Sequence, residues 1–148
     1  MFDVLSSLTE VADSHVADLF AGTGALGIEA LSRGAASALF VDDDPRAVRA
    51  VRSNLATLGL QDRGRVVRDD AMRVVARSHR FDIALCDPPY DFAGWGKLLS
   101  RLHATVAVLE SRRPADVPIG WETLRNKRYG GTLVTVVRSV GARGDGTR

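Results

Sequence analysis

Between residues 15 and 109 the hydrophobic pattern switches repeatedly between two periods, and this alternation constrains the fold more than any other feature. Short apolar runs at 15–21, 38–41, 65–68, 81–86 and 105–109 read as strands. Between them lie segments with helical spacing. Residues 25–33 form a helix stopped by Gly34. Asp44 followed by Pro45 is an N-cap with proline at the first helical position. The helix it opens places Val48, Val51, Leu55 and Leu58 on one face and stops at Gly59. Arg46, Arg49 and Arg52 line another face, the pattern of a solvated surface. A brief helix passes through Met72 and Val75, and Trp95, Leu98, Leu99 and Leu102 follow the rule of a core-facing helix. The run at 81–86 is almost continuously apolar, as in a strand covered on both faces.

The ends of the chain complete the plan. Val4, Leu5, Leu8 and Val11 predict a helix over residues 1–11 ahead of the first strand. After a proline-containing loop at 111–120, segments 121–129 and 132–138, joined by Gly130-Gly131, predict an antiparallel hairpin. The fold class is therefore α/β: a Rossmann-like, doubly wound, mostly parallel sheet closed by an antiparallel hairpin. One domain is expected over 1–138, followed by a flexible tail over 139–148.

Composition narrows the chemistry. A single cysteine excludes an internal disulfide framework and a cysteine-built zinc site, and Cys86 falls in an apolar strand. His15, His79 and His103 show no metal-ligand spacing, so no metal is expected. No apolar run approaches the roughly 20 residues of a membrane span, and no signal-peptide pattern is visible, so a cytoplasmic protein without membrane contact is expected. The net charge of +2 hides a skewed set of ions: 18 Arg with 2 Lys, and 14 Asp with 4 Glu. Arginine suits phosphate recognition, although codon usage also produces such a bias.

The polar residues cluster at the ends of the predicted strands. Gly22-x-Gly24-x-x-Gly27 follows the first strand and opens the first helix of the alternating region, where glycines permit a tight turn and close backbone approach to a ligand. Asp42, 20 residues beyond Gly22, stands where a carboxylate can accept both hydroxyls of a ribose, while Asp43 is ambiguous. Asp70, after the third strand, suits either an adenine amine or the cap of the short helix, with Asp69 as the competing residue. The fourth strand ends in Asp87-Pro88-Pro89-Tyr90. Two prolines remove two N–H donors, so the turn beside the carboxylate offers acceptors without competing donors, and an aromatic ring follows. That arrangement suits gripping the exocyclic amine of a planar base. Open α/β sheets bind ligands at this carboxyl edge.

The stretch Asp18-Leu-Phe-Ala-Gly-Thr-Gly-Ala-Leu-Gly-Ile-Glu-Ala-Leu-Ser-Arg-Gly-Ala35 resembles the first motif of class I S-adenosylmethionine-dependent methyltransferases, and Asp87–Tyr90 resembles their amino-methylating signature. The nearer resemblance is to the bacterial 16S rRNA (guanine-N2) methyltransferase family. It extends through Phe40-Val41-Asp42, Asn54-Leu55, Leu58-Gly59-Leu60, Phe81-Asp82 and Arg128-Tyr129-Gly130. The resemblance implies S-adenosylmethionine as cofactor, with Asp18, Gly22, Gly24 and Gly27 at its methionine moiety, Asp42 at the ribose and Asp70 at the adenine. It implies that Asp87 and the Pro88 carbonyl hold the target amine, with Tyr90 stacked on the base. It implies ribosomal RNA or the small ribosomal subunit as partner, with a monomeric enzyme expected. Family members usually carry a basic, glycine-rich hairpin and an Arg-Pro-Thr-x-Asp segment ahead of the first helix. Residues 1–5 resemble the middle of that helix, so the preceding segment is expected to be absent, and Gly131 stands where a polar residue is usual.

Three other readings share parts of the pattern. A dinucleotide-dependent dehydrogenase accounts for the glycine loop and Asp42 but not for Asp87–Tyr90. An amino-methyltransferase of DNA adenine or protein glutamine shares the Asp-Pro-Pro-Tyr signature. A truncated, non-catalytic cofactor-binding remnant is the third.

Overall fold

The computed structural model describes residues 1–77 and 79–142. The elements in chain order are α1 (Phe2–Leu8), β1 (His15–Asp18), α2 (Ala25–Ser32), β2 (Ser37–Asp42), α3 (Pro45–Thr57), β3 (Gly64–Arg68), α4 (Ala71–Arg77), β4 (Phe81–Cys86), α5 (Trp95–Arg101), β5 (Ala104–Ser111), β6 (Trp121–Tyr129) and β7 (Thr132–Ser139). They form one seven-stranded sheet in the order β3-β2-β1-β4-β5-β7-β6. The first five strands are parallel, and β7 runs antiparallel to both β5 and β6. This is the doubly wound architecture that the alternation predicts, with strand order reversing outward from β1 and β4.

Successive strand residues point to opposite faces, so each central strand feeds two cores. Val16, Phe40, Ile83, Leu85, Val106 and Val108 pack with the apolar faces of α1, α2 and α3. Ala17, Val41, Ala84, Cys86, Ala107 and Leu109 pack with α4 and α5, where Leu98 and Leu99 are fully buried. Burial on both faces explains why β4 reads as an unbroken apolar run.

Helix boundaries follow local chemistry. The Asp44 side chain accepts from the Arg46 N–H at 2.9 Å, capping α3 as expected. Arg46, Arg49 and Arg52 are exposed along it. The first helix is shorter than its periodicity predicts, because Thr9 is already extended at φ −156°. Strand β1 ends at Asp18, three residues before the expected limit. Leu19 and Ala21 still donate backbone bonds to the Leu85 and Val41 carbonyls, so the chain stays tied to the sheet edge while turning into the glycine loop. At the other end Ser139 closes β7, and Val140–Ala142 form a 3₁₀ turn whose Val140 N–H donates to the Gly120 carbonyl at 2.9 Å. The remainder of the expected tail, 143–148, lies outside the described residues.

One glycine is required by packing alone. A Cβ on Gly27 would lie 2.4 Å from Phe40 Cε1 and 2.8 Å from its Cζ, and that ring is fully buried. The ring has no free volume into which to swing. We expect Gly27→Ala to lower the unfolding free energy by about 1–3 kcal/mol in urea titration, the ordinary cost of overpacking a core. An unchanged midpoint would show that α2 can lift off the sheet without cost.

Candidate functional site

The carboxyl ends of β1, β2, β3 and β4 open into one cleft of about 540 Å³. It is lined by Gly22, Asp42, Asp70, Asp87, Pro88 and Phe92, among others. A cleft of similar size, about 550 Å³, lies at the amino ends of the strands between residues such as Ser37, Arg65, Arg77 and His79, away from the strand-end carboxylates.

The glycine loop is built from the end of β1. Gly22 and Gly24 sit at φ +57° and +84°, left-handed conformations that a side chain would strain. Nothing lies within 4 Å of the place a Gly22 Cβ would take, so the loop leaves open space at that point. The loop is fastened at two points by carboxylates. Asp42 Oδ2 accepts from the Gly22 N–H at 2.9 Å, and Asp18 Oδ2 accepts from the Gly27 N–H at 3.0 Å.

Asp18 is the most perturbed of these acids. It is 1% exposed, and its Oδ1 has no hydrogen-bond partner among the described residues. Burial raises its pKa to about 7; the Gly27 N–H opposes the rise, and the charges of Asp87, Asp42 and Glu110 add to it. A buried acceptor without a partner is costly and marks a place where a donor or cation is missing.

Asp42 also accepts from the Asp44 N–H through Oδ1 at 3.0 Å. A carboxylate has about four acceptor sites, so these two bonds position the group and leave capacity for a ligand. Asp43 is exposed, and its carbonyl accepts from Arg68 Nε at 3.4 Å. Asp70 caps α4, accepting from the Met72 N–H at 2.7 Å, and its side chain also faces the cleft. Asp69 lines the same cleft, but its carboxylate is already engaged, accepting from the Asp70 N–H and pairing with Arg73 and Arg77.

The fourth strand delivers the Asp-Pro-Pro-Tyr turn to the same cleft. The Phe92 N–H closes the turn on the Pro89 carbonyl at 2.9 Å, while among the described residues none donates to the Pro88 carbonyl. Phe92 packs edge-on against Phe20 and Trp95 and braces the turn from below. Tyr90 is 77% exposed, with the Arg112 guanidinium 5.1 Å from its ring centre. Beside it a second hollow of about 440 Å³ is lined by Tyr90, Phe92, Arg112 and Arg113. Cys86, by contrast, is buried, and burial pushes its thiol far above the ordinary range, so it has no nucleophilic role.

An acidic neighbour of the site, Glu110, is not singled out by the sequence. Register pairs Cys86 of β4 with Leu109 of β5, which brings the next residues, Asp87 and Glu110, side by side at the sheet edge. Both carboxyls have raised pKa values, chiefly because of partial burial, and at Glu110 the neighbouring Asp87 charge adds to the rise. The signal was available. Glu110 follows an apolar run as Asp42 and Asp87 follow theirs, and β5 extends to Ser111, two residues past the end of that run.

With this geometry in hand, comparison with known proteins is decisive for the family. The family model described as Conserved hypothetical protein 95 matches residues 1–138. The chain belongs to this family of small-subunit rRNA methyltransferases. Among its relatives, YlbH of Bacillus subtilis (strain 168) is 49% identical over 77 residues, covering 49% of this chain and 42% of that protein. Ribosomal RNA small subunit methyltransferase D of Escherichia coli (strain K12) is 41% identical over 81 residues, covering 54% of this chain and 40% of that protein. The matches therefore span about two fifths of the length of these curated relatives. A solved structure of the Escherichia coli protein yhhF superposes with a TM-score of 0.82 at 30% identity, covering 93% of this chain and 81% of that one.

The cofactor of this methyltransferase family is S-adenosylmethionine, and the cleft fits it. The unpartnered, buried Asp18 Oδ1 is an acceptor suited to a cationic group, and at Gly22 the loop backbone borders the cleft with open space. Asp42 lines the cleft and retains acceptor capacity for a ligand.

Proposed function

We propose that this chain is an S-adenosylmethionine-dependent methyltransferase that methylates the exocyclic N2 amine of a guanine in small-subunit ribosomal RNA. The observation that carries the reading is the Asp87–Tyr90 turn, held at the rim of the cleft with the Asp87 carboxylate and the Pro88 carbonyl as neighbouring acceptors. Asp18, Gly22, Gly24 and Gly27 would hold the methionine moiety, Asp42 the ribose and Asp70 the adenine. Asp70 as a helix cap is compatible with this, since one oxygen of its carboxylate remains.

The bound cofactor supplies an already activated methyl group. An exocyclic amine is a poor nucleophile because its lone pair is conjugated with the ring. Asp87 and the Pro88 carbonyl accept its hydrogens, which favours a tetrahedral nitrogen and stabilises the positive charge that develops there. The turn is rigid, so nucleophile and methyl group are held in line without reorganisation. Tyr90 offers its exposed ring to the base. Arg112, Arg113 and Arg128 are exposed close to Tyr90, Arg112 against its ring and Arg128 donating to the Arg112 carbonyl at 3.5 Å, and these cations suit phosphate contact better than the net charge of +2 suggests. We place the reaction in the cytoplasm with ribosomal particles as partner. Among the described residues no helix is long and apolar enough to cross a membrane.

The test is radiolabelled methyl transfer into small-subunit particles lacking the modification, followed by identification of the labelled nucleoside. Label on guanine N2 supports the reading, and label on adenine, on protein or nowhere overturns it. A second expectation concerns the cofactor alone. Asp42→Ala removes the acceptor that fastens Gly22 and the one assigned to the ribose. Losing charge-assisted hydrogen bonds of this kind costs about 1.5–3 kcal/mol, so S-adenosylhomocysteine is expected to bind roughly 10- to 100-fold more weakly in calorimetry. An unchanged affinity would remove Asp42 from the site.

A further inference from the structure

The paired carboxyls of Asp87 and Glu110 do more than the amine alone requires. They come from adjacent parallel strands whose register fixes their spacing, so the pair is part of the sheet edge rather than of a loop. Glu110 is partly buried next to the turn. Resting on the functional reading above, we propose that Glu110 is the residue that selects guanine, by accepting the N1–H next to the N2 amine held by Asp87.

The argument is one of matching donors and acceptors. An ionised carboxylate only accepts. Two of them side by side require a ligand edge with two adjacent donors, and the edge of guanine presents N1–H beside the N2 amine. Adenine and cytosine present their amine beside a ring nitrogen that is itself an acceptor, and the glutamine amide presents its amine beside a carbonyl. Each of these would leave Glu110 facing a lone pair, a mismatch of the kind that sites built from buried polar groups reject strongly. In the free protein burial raises both pKa values and the two charges repel, which favours one proton held by the pair as a unit. Guanine, with two donors, binds the doubly ionised pair and the proton is released to solvent, whereas a base with an acceptor at N1 needs it retained. The charged groups facing Glu110 are Asp87, Asp18 and, partly offsetting them, the Met1 amino group. Selection therefore sharpens as pH rises.

The experiment compares kcat/KM for reconstituted small-subunit particles carrying guanine or 2,6-diaminopurine at the methylated position. 2,6-Diaminopurine keeps the N2 amine but has an acceptor at N1. Wild-type protein is expected to prefer guanine, more so at pH 8.5 than at pH 6.5. Glu110→Gln, whose amide can donate as well as accept, is expected to lower that preference at least tenfold and to flatten its pH dependence. Glu110→Ala serves as a second variant, with unchanged S-adenosylhomocysteine affinity showing that the fold is intact. A parallel loss on both substrates, or a preference and pH profile unchanged in Glu110→Gln, overturns the proposal while leaving the guanine-N2 reading standing. Wild-type label on a different atom overturns both.

Discussion

Asp87→Ala is expected to lower methyl transfer into unmodified small-subunit particles by about a hundred- to a thousandfold, the usual loss when one preorganised electrostatic partner of a transition state is removed. Three features make the effect local. Asp87 is exposed as a residue, so its side chain carries little of the core. The turn is fixed by two prolines and the Phe92-to-Pro89 bond, none of which involves the carboxylate. Its charge helps to hold the Asp18 pKa up, so removing it relieves rather than weakens the fold. S-adenosylhomocysteine should accordingly bind within a few-fold of wild type, and thermal unfolding should not move down. Asp87→Asn retains one acceptor oxygen but adds a donor that opposes the amine, so its activity should fall between the two. A Asp87→Ala protein that transfers methyl groups within tenfold of wild type would show that the amine is held elsewhere.

How much of this was legible in the sequence depends on how local the cause is. The alternation of periods announced the doubly wound sheet because each strand and helix must bury its own apolar face. Asp42 and Asp87 were legible for a similar reason: each directly follows an apolar run, and parallel strands bring such positions to one edge. Asp70 stands two residues beyond its run, and Asp18, inside its run, was carried by the family resemblance. What the Asp70 carboxylate does in the absence of ligand was left open between two roles, and the structure shows the capping bond. Asp69 is engaged by Arg73 and Arg77 one and two turns along α4, partners that spacing allows but does not require. Glu110 was missed because its meaning comes from a neighbour 23 positions earlier in the chain. The register between β4 and β5 makes that pair, and nothing in either segment alone specifies it. The 3₁₀ turn at Val140–Ala142 is likewise a product of contact, with the Gly120 carbonyl across the hairpin.

Stability should decline as pH rises from about 4 to about 7, with Asp18 as the main cause. Its folded-state pKa of about 7 lies above the ordinary 3.8, so within that window the native protein keeps a proton that the unfolded chain has released. Stability then falls with pH, and the full cost is present above the folded value. The displacement corresponds to roughly 4 kcal/mol, a large share of the margin of a domain this size. Asp44 and Asp69 have lowered values and act in the opposite direction, but their contribution is lost only below the carboxylate range and is small at exposed positions. Urea titrations from pH 4 to 8 should therefore show a slope that Asp18→Asn largely removes, leaving only the part owed to Asp87 and Glu110. At pH 8 the variant should be the more stable protein by a few kcal/mol, yet it should bind S-adenosylhomocysteine poorly. The two results have one origin. An acceptor buried without a partner destabilises the empty cleft, and a cationic ligand group placed on it would recover that energy as affinity. Binding below pH 7 should then release a proton, detectable as a dependence of the calorimetric enthalpy on the ionisation enthalpy of the buffer. A stability profile flat from pH 4 to 7, or an equal slope in Asp18→Asn, would show that the cost is borne by other groups.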